Sequence, residues 1–154
     1  TIGDVPLIWY RRECLCYNIF CHVQIPVFLV ELNMKYFTPE ELMCSHCKAS
    51  GMDQQFMEKI VDLRERLAFP FPVTSGYRCP EHPIEARKSS AGAHSSGKAI
   101  DIQVSGEQAY TLIQAAISSG FTGIGINQKG NNRFIHLDTI ENSSSRPRPW
   151  VWSY

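Results

Sequence analysis

Two histidines and two aspartates, His94, Asp101, His136 and Asp138, stand in patterns that could hold a metal ion. Asp101 lies within Ala99-Ile100-Asp101-Ile102-Gln103, and His136 and Asp138 within Phe134-Ile135-His136-Leu137-Asp138. Side chains alternate faces along a strand, so Asp101 points away from Ile100 and Ile102, and His136 and Asp138 away from Ile135 and Leu137. If both segments belong to one sheet, the aliphatic residues face a core and the polar ones share the opposite face. His94 precedes the first strand in a Gly/Ser-rich loop and can close over that face. Two imidazoles and a carboxylate, with a fourth position open, make a catalytic zinc site and not a closed structural one. An ion so held makes water acidic enough to attack a peptide bond at neutral pH. Spacing alone leaves a plainer reading open, in which these are solvated polar residues on a half-exposed sheet face.

The elements that must position these residues are legible around them. Thr38-Pro39-Glu40-Glu41 forms a capping box with proline at the first helical position, which opens a short helix through Leu42. Residues 53–68 carry Phe56, Ile60, Leu63 and Leu67 on one stripe at helical spacing. Glu58, Asp62, Arg64 and Glu65 form the solvated side of that helix. Pro70 and Pro72 end it, and Val73-Thr74 is a short extended segment. Residues 80–97 read as loop and 99–104 as a strand. Ser105 with Gln108 repeats the capping-box pattern, for a helix running to about Ser118 and stopped by Gly120. Segments 122–126 and 133–138 read as a hairpin around Gly130-Asn131-Asn132. The fold class is α+β: N-terminal helices packed on a small, mostly antiparallel sheet with one crossing helix, and the zinc site on the sheet face.

A chain of 154 residues suits one domain. Lys plus Arg and Asp plus Glu both count 15, so no basic excess points to nucleic acid. Residues 1–33 read unlike the rest, with Tyr10-Arg11-Arg12 ahead of a Cys-rich, patchily apolar run. Glu13, His22 and Pro26 break that run, which argues against both a secretory signal and a bilayer span. The natural start is expected at Met34, which makes 1–33 a leader of uncertain origin and 34–154 the functional domain. Cys44-Ser45-His46-Cys47 is a C-x-x-C, with Cys79 further on. A second, structural zinc there needs four ligands to converge from two segments, and free thiols or packing are the simpler reading.

Several motifs together resemble one family. Ser75-Gly76-Tyr77-Arg78-Cys79-Pro80-Glu81-His82, His94-Ser95-Ser96-Gly97-Lys98-Ala99-Ile100-Asp101-Ile102, Gly123-Ile124-Gly125 and Phe134-Ile135-His136-Leu137-Asp138 occur in this order. They resemble the D-alanyl-D-alanine carboxypeptidase-like zinc peptidases of family M15, and within it the short bacteriophage and prophage members. The resemblance runs from Met34 to Tyr154. It implies that His94, Asp101 and His136 ligate Zn2+ and that Arg78 contacts the substrate or the developing oxyanion. It also implies the peptidoglycan stem peptide as substrate, cut as a carboxypeptidase or as an endolysin-type endopeptidase.

Two departures from the family pattern stand out. Relatives carry Glu, Asp or His shortly before the third ligand, where this chain has Gly130, Asn131, Asn132, Arg133 and Phe134. Asp138 is therefore the candidate general base, its rival role being to accept the ring N–H of a ligating histidine. Gly92 stands where many relatives place serine. A zinc-containing module that binds wall peptide without efficient turnover, or a phage structural module, is the alternative reading. Trp150, Trp152 and Tyr154 either stack on sugar rings or pin the C-terminus to the core. The chain is expected to be a monomer without stable membrane insertion. It would reach the wall from the cytoplasm through holin pores or ride on the virion.

Overall fold

The computed structural model describes residues 35–154; the proposed leader, 1–33, lies outside the described residues. Helix α1 (Pro39–Leu42) opens on the expected capping box, with the Thr38 hydroxyl accepting from the Glu41 N–H and the Glu41 carboxylate from the Thr38 N–H. Helix α2 (Gln54–Leu67) is capped by Asp53, whose carboxylate accepts the Phe56 N–H at 2.9 Å. It ends at Ala68 in the left-handed region, just ahead of Phe69-Pro70. Its buried stripe comprises Phe56, Met57, Ile60, Val61 and Leu63, wider than the sequence spacing suggests, while Leu67 is only partly buried.

Five strands follow: β1 (Val73–Ser75), β2 (Ala99–Ile102), β3 (Gly123–Asn127), β4 (Phe134–Asp138) and β5 (Trp150–Ser153). Helix α3 (Gly106–Ser118) lies between β2 and β3 in sequence. The sheet order is β1-β2-β4-β3-β5, antiparallel at each pairing except β3 with β5, which is parallel. The α+β class and the mostly antiparallel sheet agree with the sequence pattern. Two details differ. The Ser105 side chain makes no capping bond, because Gly106 takes φ +56° and turns the chain away from the box geometry. The C-terminal aromatics form a fifth strand that pairs along β3 instead of merely resting on the core.

Register decides where the chemistry sits. In the β2–β4 ladder Asp101 is opposite His136, Ile100 opposite Leu137 and Ile102 opposite Ile135. The aliphatic residues therefore fall on one face, in a single apolar cluster with Phe56, Ile60 and Leu63 of α2 and Leu112 and Ala116 of α3. Burial of large aliphatic side chains, at roughly 1.5–3 kcal/mol each, pins this register, since a one-residue slip would turn them outward.

The glycines of Gly123-Ile124-Gly125 serve the opposite face. A Cβ on Gly123 would lie 2.2 Å from Asp138 Oδ2, and one on Gly125 would lie 2.7 Å from the Trp152 ring. Gly123→Ala is expected to push the buried Asp138 carboxylate off His136 and to destabilise the protein by about 1–3 kcal/mol. Urea unfolding of the variant beside the wild type measures this, and an unchanged midpoint would contradict it.

Candidate metal centre and cleft

His94 sits in a 3-10 turn (Ala93–Ser96) that leads into β2, and its Nδ1–H donates to the Gly76 carbonyl at 2.7 Å. A carbonyl can only accept, so this bond places the proton on Nδ1 and leaves Nε2 as a lone pair. His136 Nε2–H donates to Asp138 Oδ2 at 3.2 Å, which leaves its Nδ1 as the second lone pair. The two free nitrogens stand 3.2 Å apart. Asp101 Oδ1 lies 2.8 Å from His136 Nδ1 and 3.3 Å from His94 Nε2. All three residues are buried. In that tautomer two nitrogen lone pairs and a carboxylate oxygen converge away from water, an arrangement that a bound cation would satisfy. A tetrahedral ion with bonds near 2.0–2.1 Å has ligand–ligand edges of about 3.3 Å, so the donor set fits zinc.

The surrounding groups hold these donors in place. Arg78 donates from Nη2 to Asp101 Oδ2 at 2.9 Å and from Nε to Ser75 Oγ at 2.8 Å, and its Nη1 lies 3.7 Å from Glu85. Glu85 also accepts the Gly92 N–H at 2.8 Å and pairs with Lys88 at 2.7 Å. A Cβ on residue 92 would meet Glu85 Oε2 at 2.3 Å, so glycine lets that carboxylate sit against the backbone here. Asp138 has no exposed surface. Arg148 grips both of its oxygens, at 3.0 and 2.6 Å, and the Ile140 N–H donates to Oδ1 at 3.2 Å. Its contact with His136 is at the ring nitrogen remote from the ligand atom.

Burial and charge set the protonation of the centre. For Asp101, burial favours the neutral form, but the His136 and His94 hydrogen bonds outweigh it and hold the carboxyl well below its ordinary range. Asp138 is likewise buried, and the His136 and Arg148 hydrogen bonds hold it low. Burial drives His94 toward the neutral form. His136 is buried too, yet the flanking Asp101 and Asp138 raise its pKa above its ordinary 6.5. A proton on the Nδ1 side of His136 therefore competes with a metal ion for the same position. Metal affinity is expected to weaken as pH falls through that raised value. Histidine-ring NMR checks this: His136 should titrate above 6.5 after chelation and cease to titrate once zinc is added. Titration unchanged by zinc would contradict it.

The centre opens on a cleft of about 670 Å³, within the range of small-ligand sites. Arg78, Arg87, Lys88, Arg146 and Arg148 line it, and Asp138 is the single carboxylate among the described lining residues. Trp152 and Tyr154 form one wall, with the Trp152 ring 5.2 Å from that of His136. Sequence reading placed the site's His94, Asp101, His136, Asp138 and Arg78 at positions that the fold brings together. It missed Glu85, Arg148 and the role of Trp152 as a cleft wall. The period-two aromatics at 150, 152 and 154 were the available signal for that wall, whereas Arg148 in a Pro/Ser/Arg-rich run had none.

Three buried donors beside a cationic cleft form a group that could hold a metal ion with a position left open. A family model described as Peptidase M15 matches residues 35–138, and the chain belongs to that family. Membership carries metallopeptidase activity on peptidoglycan-type substrates in general. No curated protein matches the chain. The matched span stops at Asp138, so Arg148, Trp152 and Tyr154 lie beyond it. Among the described residues, no helix is long and apolar enough to cross a membrane.

Proposed function

We propose that the protein is a zinc-dependent peptidase that hydrolyses the peptidoglycan stem peptide, with the bond beside a free C-terminal carboxylate as its preferred target. The observation that carries this is the triangle of His94 Nε2, Asp101 Oδ1 and His136 Nδ1, with edges of 2.8–3.3 Å, beside a cation-lined cleft. Zinc held there supplies a Lewis acid for the scissile carbonyl and brings the ionisation of water into the neutral range. His94 and His136 present their lone pairs through tautomers fixed by Gly76 O and Asp138. Arg78, held by Asp101, Ser75 and Glu85, lines the cleft and offers its remaining edge to a substrate carboxylate or to the oxyanion. Asp138 acts as the orienting partner of His136 and not as the base, since Arg148 and the Ile140 N–H already occupy its oxygens.

One observation favours a second reading, a zinc-containing module that binds wall peptide and turns it over slowly. Among the described residues lining the cleft no carboxylate is free to take a proton. A positioned base is worth roughly 10²–10⁴-fold in rate. Incubating the full chain with muropeptides and reading the products by mass spectrometry separates the cases. Loss of a terminal alanine supports the preferred bond, and separation of cross-linked peptides moves the cut inside the peptide. An unchanged mass with zinc bound favours the binding module.

A further inference from the structure

A second group of metal-type donors lies apart from the cleft. Cys44, Cys47 and Cys79 bring their sulfurs within 4.8 Å of one another. Cys44 and Cys79 are buried, Cys47 is exposed, and all three are free thiols. They come from two segments that the backbone ties together, with the Tyr77 N–H donating to the Leu42 carbonyl at 2.9 Å. Between Cys44 and Cys47 the chain makes a tight turn. It is closed by the Lys48 N–H on the Cys44 carbonyl at 2.8 Å and by the Cys44 N–H on the Ala49 carbonyl at 3.0 Å. Lys48 closes that turn at φ +60°, a conformation uncommon for residues other than glycine. The Cys79 N–H points at Cys44 Sγ, 3.3 Å away, as a donor does toward a thiolate. His46 Nδ1 lies 3.4 Å from Cys79 Sγ.

We propose that Cys44, Cys47 and Cys79 hold a second, structural zinc ion, with His46, whose Nδ1 lies 3.4 Å from Cys79 Sγ, as the candidate for its fourth position. Zinc–sulfur bonds near 2.3 Å give sulfur–sulfur edges of about 3.8 Å, inside the 4.8 Å within which the three sulfurs lie. On binding, the three thiols give up their protons to solvent and no electron moves, so neither oxidant nor reductant is required. Packing of free thiols alone explains neither the convergence of three sulfurs from two segments nor the nitrogen beside them. The ion would clamp the turn after α1 to the segment that follows β1. That segment carries Gly76, whose carbonyl fixes the His94 tautomer, and Arg78, which holds Asp101. The second ion thus steadies the catalytic centre without touching substrate.

The test is metal content and cobalt spectroscopy on the full chain. Wild type is expected to lose one of its bound zinc ions on Cys47→Ser, a change at an exposed position that leaves the core intact, and to lose a different one on His94→Ala. Cobalt-loaded wild type and His94→Ala should both show thiolate-to-cobalt charge-transfer absorption, and Cys47→Ser should lose it. Alkylation mapped by mass spectrometry should find the three thiols protected until chelator is added. Equal zinc content in wild type and Cys47→Ser, absence of the charge-transfer band, or a disulfide among the three cysteines would each overturn the proposal. Because the band is read in His94→Ala as well, failure of the catalytic centre and failure of this site are told apart.

Discussion

His136→Ala is expected to lower peptide hydrolysis at least about a thousandfold, because it removes one of three donors and the group through which Asp138 reaches the centre. The two remaining donors, His94 Nε2 and Asp101 Oδ1, hold an ion far more weakly than three. The fold should survive the change. Asp101 keeps Arg78 at 2.9 Å and Asp138 keeps Arg148 at 2.6 Å, so neither buried carboxylate is left unpaired. Turnover of a stem peptide, measured beside circular dichroism of the same sample, checks both halves. Activity within tenfold of wild type would remove His136 from the centre.

The second large effect belongs to Asp138. Asp138→Ala leaves the guanidinium of Arg148, a side chain only 8% exposed, without its partner, and breaking a buried pair costs about 3–5 kcal/mol. A fall in Tm of roughly 10 °C or more is expected by calorimetry. Asp138→Asn keeps the volume and separates the two roles open to this residue. As the orienting partner of His136, its loss should weaken zinc affinity about 10–100-fold. As a general base, it would spare zinc affinity and lower kcat by roughly 10²–10⁴-fold. Zinc competition against a fluorescent chelator reads the difference directly. The geometry predicts the affinity loss, and unaltered affinity with collapsed kcat would contradict it.

The face of the sheet that carries the donors was legible because strand periodicity is strict. Isoleucines and leucine at 100, 102, 135 and 137 fix which face each strand buries, and the register found in the structure sets Asp101 against His136. His94 was legible through its motif, although the bond that selects its tautomer comes from a backbone carbonyl at Gly76, which no side-chain pattern announces. Asp138 was placed on the right face, yet its role turns on Arg148, ten residues on, across a run with no regular period. The parallel pairing of β5 with β3 is non-local and has no turn signal between its partners. The same holds for Glu85, whose value lies in what the loop folds around it: the Arg78 guanidinium, Lys88 and the Gly92 N–H. In the cysteine group the C-x-x-C was visible, but the approach of Cys79 depends on the backbone bond between Tyr77 and Leu42.

The central claim is that a metal ion on His94, Asp101 and His136 drives peptide hydrolysis. It is tested most directly by following cleavage of a purified stem peptide by the full chain before chelation, after it, and after zinc is returned. Cleavage that stops with chelator and returns with zinc in wild type, but in neither His94→Ala nor His136→Ala, is the predicted result. Cleavage that continues unabated in the chelated protein would contradict the account.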